Sequence, residues 1–141
     1  MSQKFRLDKV GIINRSKKIS FKFNGKKYFG YEGDTLASAL LANGIHLVGR
    51  SFKYHRPRGF IGAGVDESNA QVQLYSGAKT DPNAMATTVE LVEGLVAKSQ
   101  NCWPSVSFDL GAINSLLHKF FPAGFYYKTF MWPKNFWYKV Y

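Results

Sequence analysis

Between Arg50 and Gly59 the sequence gathers four cations, Arg50, Lys53, Arg56 and Arg58, with Phe52, Tyr54 and His55 among them. The planar fork of arginine donates two parallel hydrogen bonds to a phosphate or carboxylate. The run therefore suits contact with a flavin or nucleotide phosphate, or with a neighbouring protein module. Histidine titrates near neutral pH and is the first residue type to consider as a general base. His55 has no carboxylate close in sequence to orient it, which points to a structural or interface role. His46 alternates with Ile45 and Leu47 as on a sheet face, and His118 falls on the solvent side of an amphipathic segment. The three histidines are too widely spaced for a metal motif.

Two other groups carry reactive side chains. Asp66 and Glu67 are adjacent acids in a stretch reading Phe60-Ile-Gly-Ala-Gly-Val-Asp-Glu-Ser-Asn-Ala70. Neighbouring loop acids need not converge and no third acid is near, so a metal or acid–base role is disfavoured; Asn69 can bond the local backbone. Cys102 is the single cysteine. A nucleophilic thiol needs an activating base and a lowered pKa, and the sequence supplies neither, so Cys102 reads as a small buried hydrophobe. One cysteine also excludes an internal disulfide framework and a cysteine-held zinc or iron–sulfur site made by this chain alone.

The last 22 residues, from Phe120 to Tyr141, hold 11 aromatic side chains interleaved with Lys128, Lys134 and Lys139. Rings between cations can stack bases of single-stranded nucleic acid. They can equally dock on a larger protein body, and an exposed patch of that size exceeds what soluble monomers usually carry. Docking is the preferred reading, with Tyr126, Tyr127, Lys128, Trp132 and Trp137 as contact candidates.

These groups need a scaffold, and the pattern supplies one. Lys18 to Phe23 alternates, with Ile19, Phe21 and Phe23 on one face, and predicts a half-buried strand. Asn24-Gly25 is the favoured two-residue hairpin turn, and Lys26 to Tyr31 reads as the returning strand. Asp34 or Thr35 can cap a helix carrying Leu36, Ala37, Leu40 and Leu41 on one face, with Gly44 at its left-handed stop. Ile45–Val48 predicts a short strand. Residues 49–69 read as one long loop, of a length that is usually functional or partner-bound. Gln71–Leu74 and Thr87–Val92 alternate as strands, and Phe108–Phe121 predicts a short helix with Leu110, Ile113, Leu116 and Leu117 on its apolar face. The order predicts an α+β domain with one small sheet.

The 141 residues suffice for one domain with an appendage. A composition 45% hydrophobic and 16% aromatic can fill a core, which excludes an intrinsically disordered chain. No run approaches a membrane span, and the start lacks the apolar core of a secretory signal. A cytoplasmic setting is expected. The net charge is +10, and the first 30 residues hold nine bases against one acid. Such a balance admits nucleic acid, an anionic cofactor or an acidic partner.

Several stretches, taken in order, resemble one family. Gly33-Asp-Thr-Leu-Ala-Ser-Ala-Leu-Leu-Ala-Asn-Gly44 resembles the helix of the β-grasp, ferredoxin-like domain. Val48-Gly-Arg-Ser-Phe-Lys-Tyr-His-Arg-Pro-Arg-Gly59, Glu67-Ser-Asn-Ala70, Ala86-Thr-Thr-Val-Glu-Leu91, Ser99-Gln-Asn-Cys-Trp-Pro-Ser105 and Phe121-Pro-Ala-Gly-Phe-Tyr-Tyr-Lys-Thr-Phe-Met-Trp-Pro133 are similar to the amino-terminal domain of the alpha subunit of heterotetrameric sarcosine oxidase. The resemblance runs from about Arg6 to Tyr141. It implies a basic arm over 1–17, a β-grasp domain over 18–97, and an aromatic docking segment over 98–141 that leads toward an FAD/NAD module. It implies partners in the other subunits, FMN and tetrahydrofolate elsewhere in the complex, and oxidative demethylation of sarcosine to glycine with formation of hydrogen peroxide. Related dehydrogenases hold a 2Fe–2S cluster in a cysteine-rich loop of this domain. The corresponding stretch here, roughly Phe60 to Ala70, has no cysteine, so no cluster is expected. Gly62-Ala-Gly64 lacks the third glycine of a dinucleotide fingerprint. The chain is thus expected to be an amino-terminal piece of a larger subunit, with no catalytic site, no membrane contact and no nucleic-acid partner. The competing expectation is a freestanding basic nucleic-acid-binding module.

Overall fold

The computed structural model describes residues 3–75 and 77–117. Strand β1 (Asn14–Phe23) begins four residues before the alternating run, and a register irregularity between Asn14 and Lys18 absorbs the extra length. Ile19, Phe21 and Phe23 are buried and Lys18 and Lys22 exposed, as alternation demands. Asn24 and Gly25 both have positive φ, 50° and 79°, the geometry of the tight turn whose twist matches paired strands. Strand β2 (Lys26–Glu32) returns, with Phe23 opposite Lys26.

Helix α1 (Leu36–Ala42) follows. The Thr35 hydroxyl accepts from the Ser38 N–H at 3.1 Å while the Ser38 hydroxyl accepts from the Thr35 N–H at 3.0 Å, a reciprocal cap. Gly44, at φ 81°, ends the helix. Its N–H reaches the Leu41 carbonyl, and the Ile45 N–H reaches that of Leu40, both at 2.9 Å, a Schellman closure.

The remaining elements are β3 (Gly49–Arg50), β4 (Pro57–Arg58), β5 (Gln71–Leu74), β6 (Asp81–Met85), β7 (Leu95–Ser99) and α2 (Ile113–Leu116), entered through a 3-10 turn at Leu110–Ala112. The main sheet runs β2-β1-β7-β5-β6. β1 and β7 are parallel neighbours, and the other pairs are antiparallel. β3 and β4 form a separate two-stranded ribbon. Phe21, Leu36, Leu40, Val48, Val72 and Leu91 are the heart of the core between sheet and helix.

Two expected strands are not strands. Ile45–Val48 is not a strand: the Ile45 N–H is spent on the helix end, and the first bond to β4 comes only at its last residue, from the Val48 N–H to the Arg58 carbonyl at 3.0 Å, with pairing from Gly49 onward. Thr87–Val92 makes a single bridge, Glu90 to Thr35. The carbonyls of Ala86 and Val89 instead accept the first N–H groups of α1, from Ala37 at 3.0 Å and Leu36 at 2.9 Å. The alternation reflects that docking and not a sheet neighbour. Consequently His46 is not on a sheet face: it is exposed, with its ring edge-on to Phe5 at 5.3 Å.

The amino-terminal arm is tied down. Arg6 donates to both carboxylate oxygens of Asp34, at 3.0 and 2.6 Å, and Asp34 is buried just before the helix cap. Asp34 also accepts from the Tyr31 N–H at 2.9 Å and the Ser38 hydroxyl at 2.9 Å. Among the described residues no helix is long and apolar enough to cross a membrane.

Candidate functional site

The basic loop is organised by one carboxylate from far along the chain. Arg50, on β3, turns inward: its Nε donates to the Val106 carbonyl at 2.9 Å and a terminal nitrogen donates to the His55 carbonyl at 2.8 Å. The same Nε lies 3.7 Å from Oδ2 of Asp109, and its side chain is 10% exposed. His55 Nδ1 sits 2.6 Å from that oxygen. Oδ1 of Asp109 accepts from the Trp103 N–H at 2.9 Å and the Gly111 N–H at 3.2 Å, so it also starts the 3-10 turn. Burial alone would push the Asp109 carboxyl up; the Trp103 N–H, His55 and the Gly111 N–H outweigh it and hold the group below the usual carboxylate range.

The loop closes locally as well. The Ser51 N–H donates to the Arg56 carbonyl, and the His55 N–H to the Ser51 carbonyl, both at 3.0 Å. The cations of Lys53 and Arg56 lie 5.3 and 4.8 Å from the Tyr54 ring centre, within reach of cation–π attraction. Phe52 stands out, 84% exposed. Arg58 lines a small cleft with Arg50, Asn69 and Gln100. Asn114 of α2 reaches the Lys53 carbonyl at 3.4 Å, so loop and α2 form one unit. On that unit Trp103, Phe108, Leu110, Ile113 and Leu116 are all exposed. The apolar face expected of this helix is present over the described residues but faces outward. Its predicted extension to Phe121, His118, and the tail candidates Tyr126, Tyr127, Lys128, Trp132 and Trp137 lie outside the described residues.

Arg50, Phe52, Lys53, Tyr54, His55, Arg56 and Arg58, expected within one long loop, lie on the β3–β4 ribbon and the connection between its strands; the sequence reading missed Asp109. The available signal was its place as a capping acid just before the helical run at Leu110. Glu67, expected to have no metal or acid–base role, is buried and collects backbone N–H groups of its own loop. Asp66 beside it is exposed. Cys102 is half-buried, not buried. Its Sγ lies 3.3 Å from the Ser99 hydroxyl, at a groove of about 780 Å³ between the Asn24 turn and residues 104–107.

The chain matches the model of the 2Fe-2S iron-sulfur cluster binding domain over residues 16–102. It is 59% identical over 137 residues to sarcosine oxidase subunit alpha of Rhizobium meliloti, covering 97% of this chain and 14% of that protein. It is 40% identical over 88 residues to sarcosine oxidase subunit alpha of Corynebacterium sp. (strain U-96), covering 60% of this chain and 9% of that protein. The chain thus spans about one seventh or less of these relatives. Among solved structures it is similar to L-proline dehydrogenase from P. horikoshii, with 27% identity and a TM-score of 0.47 over 65% of this chain and 17% of that one.

The family's cluster can be tested against the residues present. A 2Fe–2S group is held by four thiolates, or by two thiolates and two histidines. This chain has one cysteine. Among the described residues no three His, Cys, Asp or Glu side chains converge as a metal site. The loop from Phe60 to Ala70 offers hard oxygen donors only, and the residues do not fit the group. The five-stranded mixed sheet with α1 across one face is nonetheless the β-grasp, ferredoxin-like arrangement, and the chain belongs to the 2Fe-2S iron-sulfur cluster binding domain family, as a homologue of sarcosine oxidase alpha subunits.

Proposed function

We propose that this chain is a structural domain of a sarcosine-oxidising flavoenzyme, acting by docking and not by holding a cofactor of its own. The observation that carries the reading is 59% identity over nearly the whole chain to the alpha subunit of such an oxidase. The site supports it. Arg50, His55 and Asp109 are spent on bracing the loop. Phe52, Arg56 and the exposed face of α2 are left at the surface. Together with Lys53, Tyr54 and Arg58 they form a mixed apolar and basic face. Its occupant is the FAD/NAD module of the same subunit, with the segment holding Tyr126, Tyr127, Lys128, Trp132 and Trp137 extending the contact. The assembled enzyme demethylates sarcosine to glycine, reduces oxygen to hydrogen peroxide and passes the one-carbon unit to tetrahydrofolate, using FAD, NAD and FMN bound outside this chain. It works in the cytoplasm.

The test is capture of the native protein from its source cells through an antibody to this chain. Flavin absorbance and sarcosine-dependent hydrogen peroxide are expected in the captured material, and neither in the purified 141-residue chain. A captured assembly without sarcosine turnover overturns the reading. So does stoichiometric flavin on the isolated chain. Salt-sensitive binding of oligonucleotides by the isolated chain would favour the nucleic-acid alternative instead.

A further inference from the structure

The segment from Phe60 to Ala70 closes on a single buried carboxylate. Glu67 is 2% exposed. Its Oε2 accepts the N–H groups of Ile61 at 2.7 Å and Gly62 at 2.8 Å, and its Oε1 accepts that of Asn69 at 2.8 Å. Burial alone would push this carboxyl up; the backbone donors of Asn69, Gly62, Ile61 and Ala70 more than offset it and hold it below its ordinary range. The buried group is therefore an anion at neutral pH. No salt bridge to a described residue accompanies it. Among the described residues, the groups that donate to this charge are backbone N–H groups.

Backbone N–H groups converging within one loop make an anion-binding concavity. Here the fold is kept and the loop has no thiolates. The donors converge on a side chain of the loop itself. Two further bonds seat the loop on the domain: the Thr87 hydroxyl donates to the Gly64 carbonyl at 2.6 Å and the Ala86 N–H to the Ala70 carbonyl at 2.9 Å.

We infer that Glu67 is a built-in anion that closes this loop, and that the N–H nest around it binds a small carboxylate when the Glu67 side chain is removed. The inference does not depend on the docking reading above, since it concerns the inside of the loop.

The experiment uses the 141-residue chain as wild type, Glu67→Ala and Glu67→Gln. Amide hydrogen exchange is read at Ile61, Gly62 and Asn69, with Phe21 and Val72 as core references. In Glu67→Ala the three loop amides are expected to exchange about 10- to 100-fold faster relative to the references, the effect of losing a buried acceptor. Sodium formate is expected to restore protection where sodium chloride at equal ionic strength does not, and wild type is expected to ignore both. Should Glu67→Ala fail to fold, Glu67→Gln carries the test: it keeps one acceptor oxygen, so protection is lost only at the amides facing its NH2 group. Separately, wild type is reconstituted anaerobically with iron and sulfide, and no iron is expected to stay after desalting. Unchanged exchange in Glu67→Gln overturns the inference, as does failure of formate to restore a folded Glu67→Ala. Retention of stoichiometric iron and sulfide by wild type also overturns it.

Discussion

The Nδ1 of His55 lies 2.6 Å from Oδ2 of Asp109, although 54 residues separate the two in sequence. His55 holds a positive φ of 52°, a region that non-glycine residues rarely adopt. The loop tolerates this because Arg50 binds the His55 carbonyl while Asp109 binds its ring. Asp109 spends its other oxygen on Trp103 and Gly111. One carboxylate thus clamps the basic loop to the segment that leads into α2.

Replacing Asp109 by Asn tests the clamp. The change keeps the shape but turns an NH2 group on donors that need an acceptor. Unfolding in urea at neutral pH is expected to show a loss of roughly 1–3 kcal/mol.

The same group sets an acid limit. The carboxyls of Asp109 and Glu67 both titrate below their ordinary range in the folded chain, so the unfolded chain binds more protons at acid pH. Their stabilisation is complete above the unfolded carboxylate range of about pH 4 and is lost as pH falls through the lower folded values. Wild type should hold a level stability from neutrality to about pH 5 and decline below about pH 4. Asp109→Asn should show a shallower decline in the same pH series.

Gly111 is placed where the His55 ring leaves no room. A β-carbon there would overlap the imidazole, falling 2.8 Å from Cγ and closer still to two other ring atoms. Gly111→Ala is expected to push His55 off Asp109. The readout is the set of His55 ring chemical shifts by NMR, which should change as the Asp109 contact is lost while core chemical shifts stay unchanged.

The amino-terminal arm depends on Arg6. Arg6→Ala leaves the buried Asp34 carboxylate with the Tyr31 N–H and Ser38 hydroxyl alone. A buried charge that loses its partner costs about 3 kcal/mol, so the thermal midpoint should fall by well over what any single surface change produces.

The outward face behaves in the opposite way. Phe52→Asp and Leu116→Asp remove exposed apolar groups, 84% and 80% exposed. Each should change the stability of the chain by no more than about 0.5 kcal/mol. In the full subunit both should loosen this domain from the FAD/NAD module, read as faster limited proteolysis between the two. Unaltered proteolysis would remove this face from the interface.

Local order was legible in the residues wherever the cause was local. Asn24-Gly25 sets the hairpin because both positions must take positive φ. Thr35 and Gly44 bracket α1 because one caps free N–H groups and the other accepts a left-handed backbone. The basic run at Arg50–Arg58 was visible as a run, and so was the lack of thiolates for a cluster. Thr87–Val92 misled because alternation records only that one side of an extended segment is buried. Its backbone bonds to the end of α1.

What the chain wrote in its sequence alone was the hairpin, the helix with both of its ends, the α+β order and the absence of cysteine ligands, all consequences of neighbours within a few residues. Tertiary structure decided which charges are spent. It turned Arg50 inward onto Val106, brought Asp109 to His55, buried Glu67 beneath the N–H groups of Ile61, Gly62 and Asn69, and left Phe52 in solvent. The physical reason is that burial and hydrogen-bond partnership depend on contacts between distant segments. A carboxylate becomes a clamp or a built-in anion only when the fold removes water from it and supplies the donors.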